Sequence, residues 1–196
     1  MVAATLKQFT ADEYHRMSEA GILLPAERTE LVEGNIIETA AKSAAHAAAV
    51  FLTHRLLAQQ IANAAFVRSQ EPIRLSDISE PEPDISVVRP GPLAYSTQHP
   101  SPADVLLIVE VSSFSLQYDQ ETKAPLYATA KIADYWILDI LKRELHLYRQ
   151  PKGDRYQSHT ILTEALSVSP LAFSHLTIQI TDLLPPQPSA DSDNKS

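Results

Sequence analysis

Cysteine is absent from the 196 residues of this chain. Its absence excludes disulfides, thiolate catalysis, iron–sulfur clusters and cysteine-based zinc sites, and it fits a reducing cytoplasm. Long apolar runs are also lacking, because the most apolar segment, VLLIVEV at residues 105–111, is far too short to cross a bilayer. We therefore expect a cytoplasmic protein without a membrane anchor or an export signal.

Glycine is scarce, with four residues at positions 21, 34, 91 and 153. The closest two are 13 positions apart (21 and 34), so no glycine-rich phosphate loop or GxGxxG turn can form. This spacing argues against P-loop and Rossmann-type nucleotide enzymes. The chain also lacks a GxSxG motif, which disfavours a serine hydrolase of the nucleophile-elbow type.

Positive charge is in the minority, and the formal net charge is -8. Broad nonspecific affinity for nucleic acid depends on cations that replace phosphate counterions, so this balance argues against it. A local basic face can still act within an acidic protein. The segment from 142 to 155 carries Lys142, Arg143, Arg149, Lys152 and Arg155. That segment is interpreted either as a solvated strand face or as an edge that contacts phosphates.

The length and the 44% hydrophobic content allow one sizeable core. We predict a single domain over residues 1–184 and a disordered C-terminal tail over residues 185–196. The tail, PPQPSADSDNKS, is polar and proline-rich and has no periodicity.

Two helices and a hairpin are predicted in the first third of the chain. Thr10 and Glu13 form a capping-box pattern, which predicts a helix from about residue 11 to Gly21. In RTELVEGNIIET at 28–39, Gly34 or Asn35 can take the positive φ of a tight hairpin turn. The alanine- and leucine-rich segment 43–63 predicts the longest helix, lying across a sheet.

Eight later segments have the composition of strands. They are AFVRSQ, PIRL, DISVVR, DVLLIVEVS, DYWILDI, ELHLYRQ, RYQSHTIL and HLTIQI. Five consecutive apolar residues at 105–109 indicate a strand covered on both faces, and hence central. Between DISVVR and DVLLIVEVS, the loop PGPLAYSTQHPSPA is long enough to be functional.

Three charged residues stand at the ends of predicted elements. Asp84 enters a strand in EPDISVV, Glu110 is near the end of LLIVEVS, and Lys123 is close to a helix start. A carboxylate buried at the end of an apolar central strand destabilises the fold unless its charge is compensated. Mg²⁺ or Mn²⁺ suits such oxygen ligands and can activate a water for attack on a phosphodiester.

Each of these residues also has a plain structural interpretation. Asp84 is then a loop-to-strand junction, Glu110 pairs with a buried arginine, and Lys123 forms a helical i,i+4 pair with Asp119. Trp136 is interpreted as a core residue. His46 and His54 lack the i,i+4 spacing common among helical zinc ligands.

Taken together, nine landmarks in this order resemble the PD-(D/E)XK phosphodiesterase superfamily, and in particular its bacterial Uma-type restriction-endonuclease branch. The match covers roughly residues 8 to 185. The landmarks are FTADEYHRM, ELVEGNII, the helix of His46, Gln70 with PIRL, EPDISVV, LIVEVSS, the spacing from Asp119 to Lys123, LYA and DYWILD.

The resemblance implies an α/β fold of the α+β type, with a restriction-endonuclease-like central mixed sheet flanked by helices. It implies that Asp84 and Glu110 ligate Mg²⁺ or Mn²⁺, that Glu30 can join the metal site, and that Asp84, Glu110 and Lys123 are catalytic. The superfamily's usual lysine position is Ser112 here, so the lysine has moved to the following helix. Gln70, Ser112 and Asp119 are expected to line the site.

The resemblance further implies a metal-dependent endonuclease that acts on DNA as a homodimer. Two departures border the expected site, because Phe114 and Leu116 stand where a small or proline residue and a threonine are usual. The alternative function is a catalytically inactive nuclease fold that serves as a binding or assembly module. The three retained charged residues favour the enzyme, whereas the acidic net charge favours the module.

Overall fold

The computed structural model describes residues 5–24, 27–39 and 41–187. The α-helices in these ranges are α1 Ala11–Glu19, α2 Ala44–Ile61, α3 Leu116–Tyr118 and α4 Ala124–Thr129. The strands are β1 Thr29–Val32, β2 Asn35–Glu38, β3 Phe66–Ser69, β4 Ile85–Val88, β5 Val105–Ser112, β6 Asp134–Asp139, β7 Glu144–Lys152, β8 Arg155–Thr163, β9 Ser167–Val168 and β10 Ile178–Gln179. Within the predicted C-terminal tail, residues 188–196 lie outside the described ranges.

A six-stranded sheet forms the centre of the fold, in the order β3-β4-β5-β6-β7-β8. Strands β5 and β6 are parallel, and every other neighbouring pair in this sheet is antiparallel. The predicted class, a mixed sheet flanked by helices, is therefore confirmed. Strand β5 lies between β4 and β6 and is buried along most of its length, as its run of apolar residues predicted.

Helix α2 and helix α4 pack against different apolar clusters of the sheet. Ala49 and Leu57 of α2 pack with Val109 and Trp136, and Trp136 is fully buried as predicted. Tyr127 of α4 belongs to a second cluster, together with Ile108, Tyr135 and Ile137 of strands β5 and β6. Because side chains alternate along β5, Glu110 projects to the same face as Ile108, the face that α4 covers.

The predicted local signals in the first third of the chain are confirmed. Thr10 Oγ1 accepts from the Glu13 backbone N–H, and the Glu13 carboxylate accepts from the Thr10 backbone N–H. Helix α1 then ends at Glu19, close to the predicted end. The hairpin of β1 and β2 turns at Glu33 and Gly34, whose φ angles are 49° and 75°. Ser43 caps α2, the longest helix of the described ranges.

Two strand predictions are wrong in whole or in part. The segment PIRL is not a strand, because its backbone N–H groups bond to loop carbonyls and not to a neighbouring strand. The N–H of Ile73 donates to the Pro81 carbonyl, and that of Arg74 donates to the Pro100 carbonyl. HLTIQI forms only the two-residue strand Ile178–Gln179. It pairs with the short strand Ser167–Val168, which the sequence did not indicate.

A membrane-spanning helix is not found in the part of the chain that the structure describes. Helix α2 has 18 residues, but none of the described helices combines the length and the apolar character that a bilayer requires.

Candidate active site

Asp84 and Glu110 are brought side by side by the register of β4 and β5. The backbone N–H of Asp84 donates to Glu110 Oε2 at 3.1 Å, and the backbone N–H of Val111 donates to Asp84 Oδ2 at 3.0 Å. Each carboxylate is therefore oriented by the backbone of the strand that carries the other. Both residues are buried, with 7% and 3% of their surface exposed.

Lys123 reaches the same place from a widened helical turn. Residues Asp119–Lys123 form a π-helical turn between α3 and α4, in which the Ala124 N–H donates to the Asp119 carbonyl oxygen five residues earlier. Lys123 Nζ lies 3.0 Å from Glu110 Oε1 and 3.1 Å from Glu30 Oε2. The structure thus brings Asp84, Glu110 and Lys123 together, as the resemblance implied.

The plain interpretation of Lys123 as an i,i+4 partner of Asp119 does not describe its contacts. The Asp119 carboxylate accepts from Ser115 Oγ at 2.7 Å, while the Lys123 ammonium contacts Glu110 and Glu30. Glu110 therefore pairs with a buried lysine, Lys123, and not with the buried arginine of its plain interpretation.

Glu30 of β1 joins the cluster as an almost fully buried carboxylate, with 1% of its surface exposed. Its Oε2 also accepts from the Glu82 backbone N–H at 3.1 Å, and its Oε1 accepts from the Tyr118 hydroxyl at 3.3 Å. The Tyr127 hydroxyl donates to Glu110 Oε1 at 2.8 Å. Both tyrosines hold acidic side chains of the site, and sequence reasoning did not find either of them.

Asp84 has two further partners that sequence reasoning missed. Lys42 Nζ lies 3.0 Å from Asp84 Oδ1, and His46 Nε2 lies 3.0 Å from Asp84 Oδ2. Lys42 precedes Ser43, the N-cap of α2, and His46 lies in the first turn of that helix. No local pattern in the sequence indicated their pairing with Asp84, which lies 42 and 38 residues away. The first turn of α2 has no acidic residue, which leaves its positive end free to face Asp84.

The three expected lining residues differ in their contacts. Asp119 lines the pocket directly. Gln70 reaches Asp84 Oδ1 with its Nε2 atom at 3.5 Å, from a backbone with a φ of 57°. Ser112, with 1% of its surface exposed, accepts from Ser115 Oγ at 3.4 Å and adjoins the pocket through that contact.

Burial and neighbouring charges shift the pKa values of these groups in opposite directions. Burial raises the pKa of Glu110 to about 8 and that of Asp119 to about 6. Burial acts the same way on Asp84, but His46, Lys42 and the Val111 backbone N–H together outweigh it and lower the Asp84 pKa to about 2. For Lys123, burial opposes the charged form, yet the Glu110 and Glu30 carboxylates raise its pKa well above the ordinary value. Lys123 therefore stays charged, whereas Glu110 and Asp119 titrate near pH 8 and pH 6.

The cluster opens into a pocket with a volume of about 360 Å³. Its lining includes Glu30, Asp84, Glu110 and Lys123, and the ring of Phe114, which is 88% exposed, stands at its edge. Oxygen donors on buried carboxylates fit a hard divalent cation. In the described ranges, however, no three acidic or histidine ligand atoms of this pocket lie within 4.8 Å of one another. Instead, the carboxylates contact ammonium groups: Lys123 bridges Glu110 and Glu30, and Lys42 contacts Asp84.

A family comparison relates this geometry to known proteins. The model of the Uma2 family, described as putative restriction endonuclease, matches residues 11–181. The chain belongs to the Uma2 family. Restriction-endonuclease-like families typically use divalent metals, and the family description supports a nuclease-like function.

Two individual proteins are similar to this Uma2 chain. The uncharacterized protein sll1609 of Synechocystis sp. is 31% identical over 172 residues, which cover 85% of this chain and 92% of that protein. A crystal structure of a putative nuclease belonging to DUF820 from Anabaena variabilis has a TM-score of 0.66 and 20% sequence identity, and the match covers 89% of this chain and 97% of that chain. At that identity the likeness shows the fold alone.

The basic segment 142–155 of this Uma2 chain covers strand β7 and the turn that leads into β8. Arg149 Nε is 2.8 Å from the fully buried Asp134, and Arg143 pairs with Glu164. Lys142 and Lys152 are exposed. Internal carboxylates thus neutralise part of this positive charge, which favours the solvated strand face over the phosphate-contacting edge.

Proposed function

We propose that this chain is a Mg²⁺- or Mn²⁺-dependent endonuclease that hydrolyses phosphodiester bonds in DNA. The observation that carries the proposal is the buried contact of Lys123 with Glu110 and Glu30, beside Asp84 and at the base of an open pocket. Sheet and helix segments far apart in sequence converge there. Burying several charged groups in one place is costly, and a catalytic role gives a reason for keeping them.

Asp84 and Glu110 are the residues that would hold the metal, and Glu30 is the third available carboxylate. Their donor set fits Mg²⁺ and Mn²⁺, which bind through one or two carboxylates and retain several waters. When bound, such an ion supplies a more acidic water and neutralises charge on the scissile phosphate. Lys42 and Lys123 balance the carboxylate charge without an ion, so we expect binding to loosen the contact of Lys42 with Asp84.

Lys123 would contribute a fixed positive charge at the developing negative charge of the phosphate oxygens. The Tyr127 hydroxyl and the Lys123 ammonium both bind Glu110 Oε1, so they hold that carboxylate in one orientation. The exposed Phe114 ring at the pocket edge offers an apolar face to an incoming nucleotide. DNA as the substrate class rests on the family description.

We expect the enzyme to act in the cytoplasm as a homodimer, since two symmetric copies are the simplest way to cut both strands of a duplex. The decisive test is incubation of the purified chain with plasmid, linear duplex and single-stranded DNA, with and without Mg²⁺ or Mn²⁺. Glu110→Gln, purified identically, is the matched control. Metal-dependent cleavage by the wild type alone supports the proposal, and equal cleavage by both proteins indicates a contaminating nuclease.

A second candidate function is a DNA-binding or assembly module without catalysis. The pocket favours it in one respect, because the ammonium groups of Lys42 and Lys123 already balance Asp84 and Glu110. The net charge of -8 points the same way. Such a module predicts DNA or protein binding that Mg²⁺ leaves unchanged, together with no cleavage of any of the three substrates.

A further inference from the structure

A second cluster of ligand-type side chains lies apart from the pocket of Asp84 and Glu110. It consists of His15 from α1, Glu80 from the segment before β4, and His99 from the proline-rich loop before β5. One ligand atom from each residue lies within 4.8 Å of the other two, and no other group of three or more such residues in the described ranges meets this distance. Three segments distant in sequence therefore present two imidazoles and one carboxylate to a common point.

The three ligand atoms are close enough together for one ion to bind all three after small side-chain movements. His15 Nε2 contacts Glu80 Oε1, and the rings of His15 and His99 have centroids 6.1 Å apart with planes at 88°. Ligands about 2.0 to 2.2 Å from a tetrahedral Zn²⁺ are separated by roughly 3.4 Å. Around such an ion, the 2.5 Å contact between His15 Nε2 and Glu80 Oε1 would lengthen by about 1 Å, and His99 would approach from within 4.8 Å of both. The His15 side chain, which is 41% exposed, has the freedom to make this movement.

The surroundings orient the carboxylate in the way that metal ligands usually require. Glu80 has 2% of its surface exposed, and its second oxygen, Oε2, accepts from Arg74 Nη1 at 3.3 Å. The Arg74 backbone N–H donates to the Pro100 carbonyl at 2.9 Å, next to His99 in the chain. Arg74 thus fixes Glu80 through its side chain and the His99 loop through its backbone.

An ion pair among protein groups is the competing interpretation. Arg74 and His15 are sufficient partners for the buried Glu80 charge, so those three residues need no metal. The ion pair gives no role to His99, whose ligand atom lies within 4.8 Å of both His15 and Glu80. A metal ion would use both imidazole rings.

We propose that His15, Glu80 and His99 bind one transition-metal ion of the Zn²⁺ class, with water in the remaining position. Two imidazoles and one carboxylate suit Zn²⁺ and disfavour Mg²⁺, which prefers oxygen ligands. The ion would fasten helix α1 to the loop that precedes the central strand. The proposal holds whether or not the chain is a nuclease.

The test is titration of the full chain with ZnCl₂ by calorimetry in excess Mg²⁺, which occupies carboxylate sites but not imidazole sites. We expect one Zn²⁺ per chain. His15→Ala and His99→Ala should each weaken binding by at least the 10- to 100-fold that loss of an outer-shell partner costs. Both histidines are partly exposed, so the variants should keep the far-ultraviolet circular dichroism of the wild type.

His175→Ala is the matched control, because His175 is an exposed histidine outside the cluster. It should bind Zn²⁺ like the wild type, as should Asp84→Asn, which alters the proposed catalytic site. Binding that persists in His15→Ala and His99→Ala overturns the proposal. Loss of the single site in Asp84→Asn or in His146→Ala would overturn it equally, since His146 and His159 lie 3.2 Å apart and form a separate histidine pair.

Discussion

Lys123 Nζ lies 3.0 Å from Glu110 Oε1, although 13 residues separate the two in sequence. This contact distinguishes a lysine of the site from a lysine that merely stabilises its own helix. It also makes the roles of Asp84, Glu110 and Lys123 open to separate tests, because each residue contributes a different charge to one buried cluster.

Neutralising the charged groups should remove cleavage while the fold is retained. Asp84→Asn and Glu110→Gln take away ligand charge with little change in volume, and Lys123→Ala takes away a positive charge near the scissile phosphate. Loss of one preorganised charge commonly lowers the rate by about 10² to 10³, or roughly 3 to 4 kcal/mol. Rates of plasmid cleavage in Mg²⁺ would measure this effect.

Lys152→Ala is the matched control for Lys123→Ala. Lys152 is an exposed lysine in the β7–β8 hairpin, and its loss should leave the rate unchanged. Asp119→Ala is unsuitable for that purpose, since Asp119 is 96% buried and lines the pocket. Cleavage by Lys123→Ala at the wild-type rate would contradict the role assigned to the lysine.

Divalent metal should stabilise the folded chain. A ligand that binds the native state increases the free energy of unfolding by mass action, by about 2.7 kcal/mol when its concentration is 100 times the Kd. The melting temperature rises accordingly. Mg²⁺ or Mn²⁺ should therefore raise Tm in the wild type and raise it less in Asp84→Asn, as followed by calorimetric melting. An equal response in both proteins would place the binding site elsewhere.

Metal affinity at the catalytic site should rise with pH up to about 8. Burial raises the pKa of Glu110 to about 8, so below that pH a proton must leave Glu110 before the carboxylate can ligate. One released proton changes the apparent affinity about tenfold for each pH unit. Titration with Mn²⁺ in buffers of different ionisation enthalpy would reveal that proton.

The same shift predicts how stability without metal depends on pH. The pKa of Glu110 is raised in the folded state, so its contribution to stability is fully present below the unfolded value of 4.5 and is lost as the pH rises through about 8. Glu110→Gln should lose this slope. Asp119→Asn should keep it and remove only a smaller step near pH 6, where Asp119 titrates.

Lys42 should compete with the metal for Asp84. Its ammonium group lies 3.0 Å from Asp84 Oδ1, and its side chain, 20% exposed, extends from the segment before α2. Removing a cation beside a ligand lowers the repulsion that an incoming ion meets, by about 1 kcal/mol even at the dielectric constant of bulk water. Lys42→Gln should therefore bind Mn²⁺ several-fold more tightly than the wild type, as measured by calorimetry.

The exposed Lys131 supplies the control for that measurement, since Lys131→Gln changes the net charge by the same amount away from Asp84. Equal gains in the two variants would indicate a general charge effect. Weaker binding in Lys42→Gln would show that Lys42 supports the metal site rather than opposing it.

Local patterns were enough to predict much of the fold. Thr10 and Glu13 define the start of α1 within four residues, and the apolar run of β5 reports burial on both faces. The segment PIRL failed because β-favouring composition does not reveal whether a partner strand is present, and the donors of Ile73 and Arg74 go to loop carbonyls instead.

The charged residues of the site were predictable where a strand or a family motif carried them, as with Asp84 and Glu110. Their partners were not, because the contacts of Asp84 with Lys42 and His46 span 42 and 38 residues. Such pairings depend on how α2 crosses the sheet, and no local periodicity encodes that crossing.

The π-helical turn Asp119–Lys123 determines in which direction the side chains of α4 point relative to those of α3. Ahead of it, Tyr118 contacts Glu30; at its end and beyond, Lys123 and Tyr127 contact Glu110. Each residue of an α-helix advances the rotation by about 100°, so an uninterrupted α-helix could not hold both sets of contacts. A one-codon deletion in Asp119–Lys123 would thus separate the two halves of the site while leaving the sheet untouched.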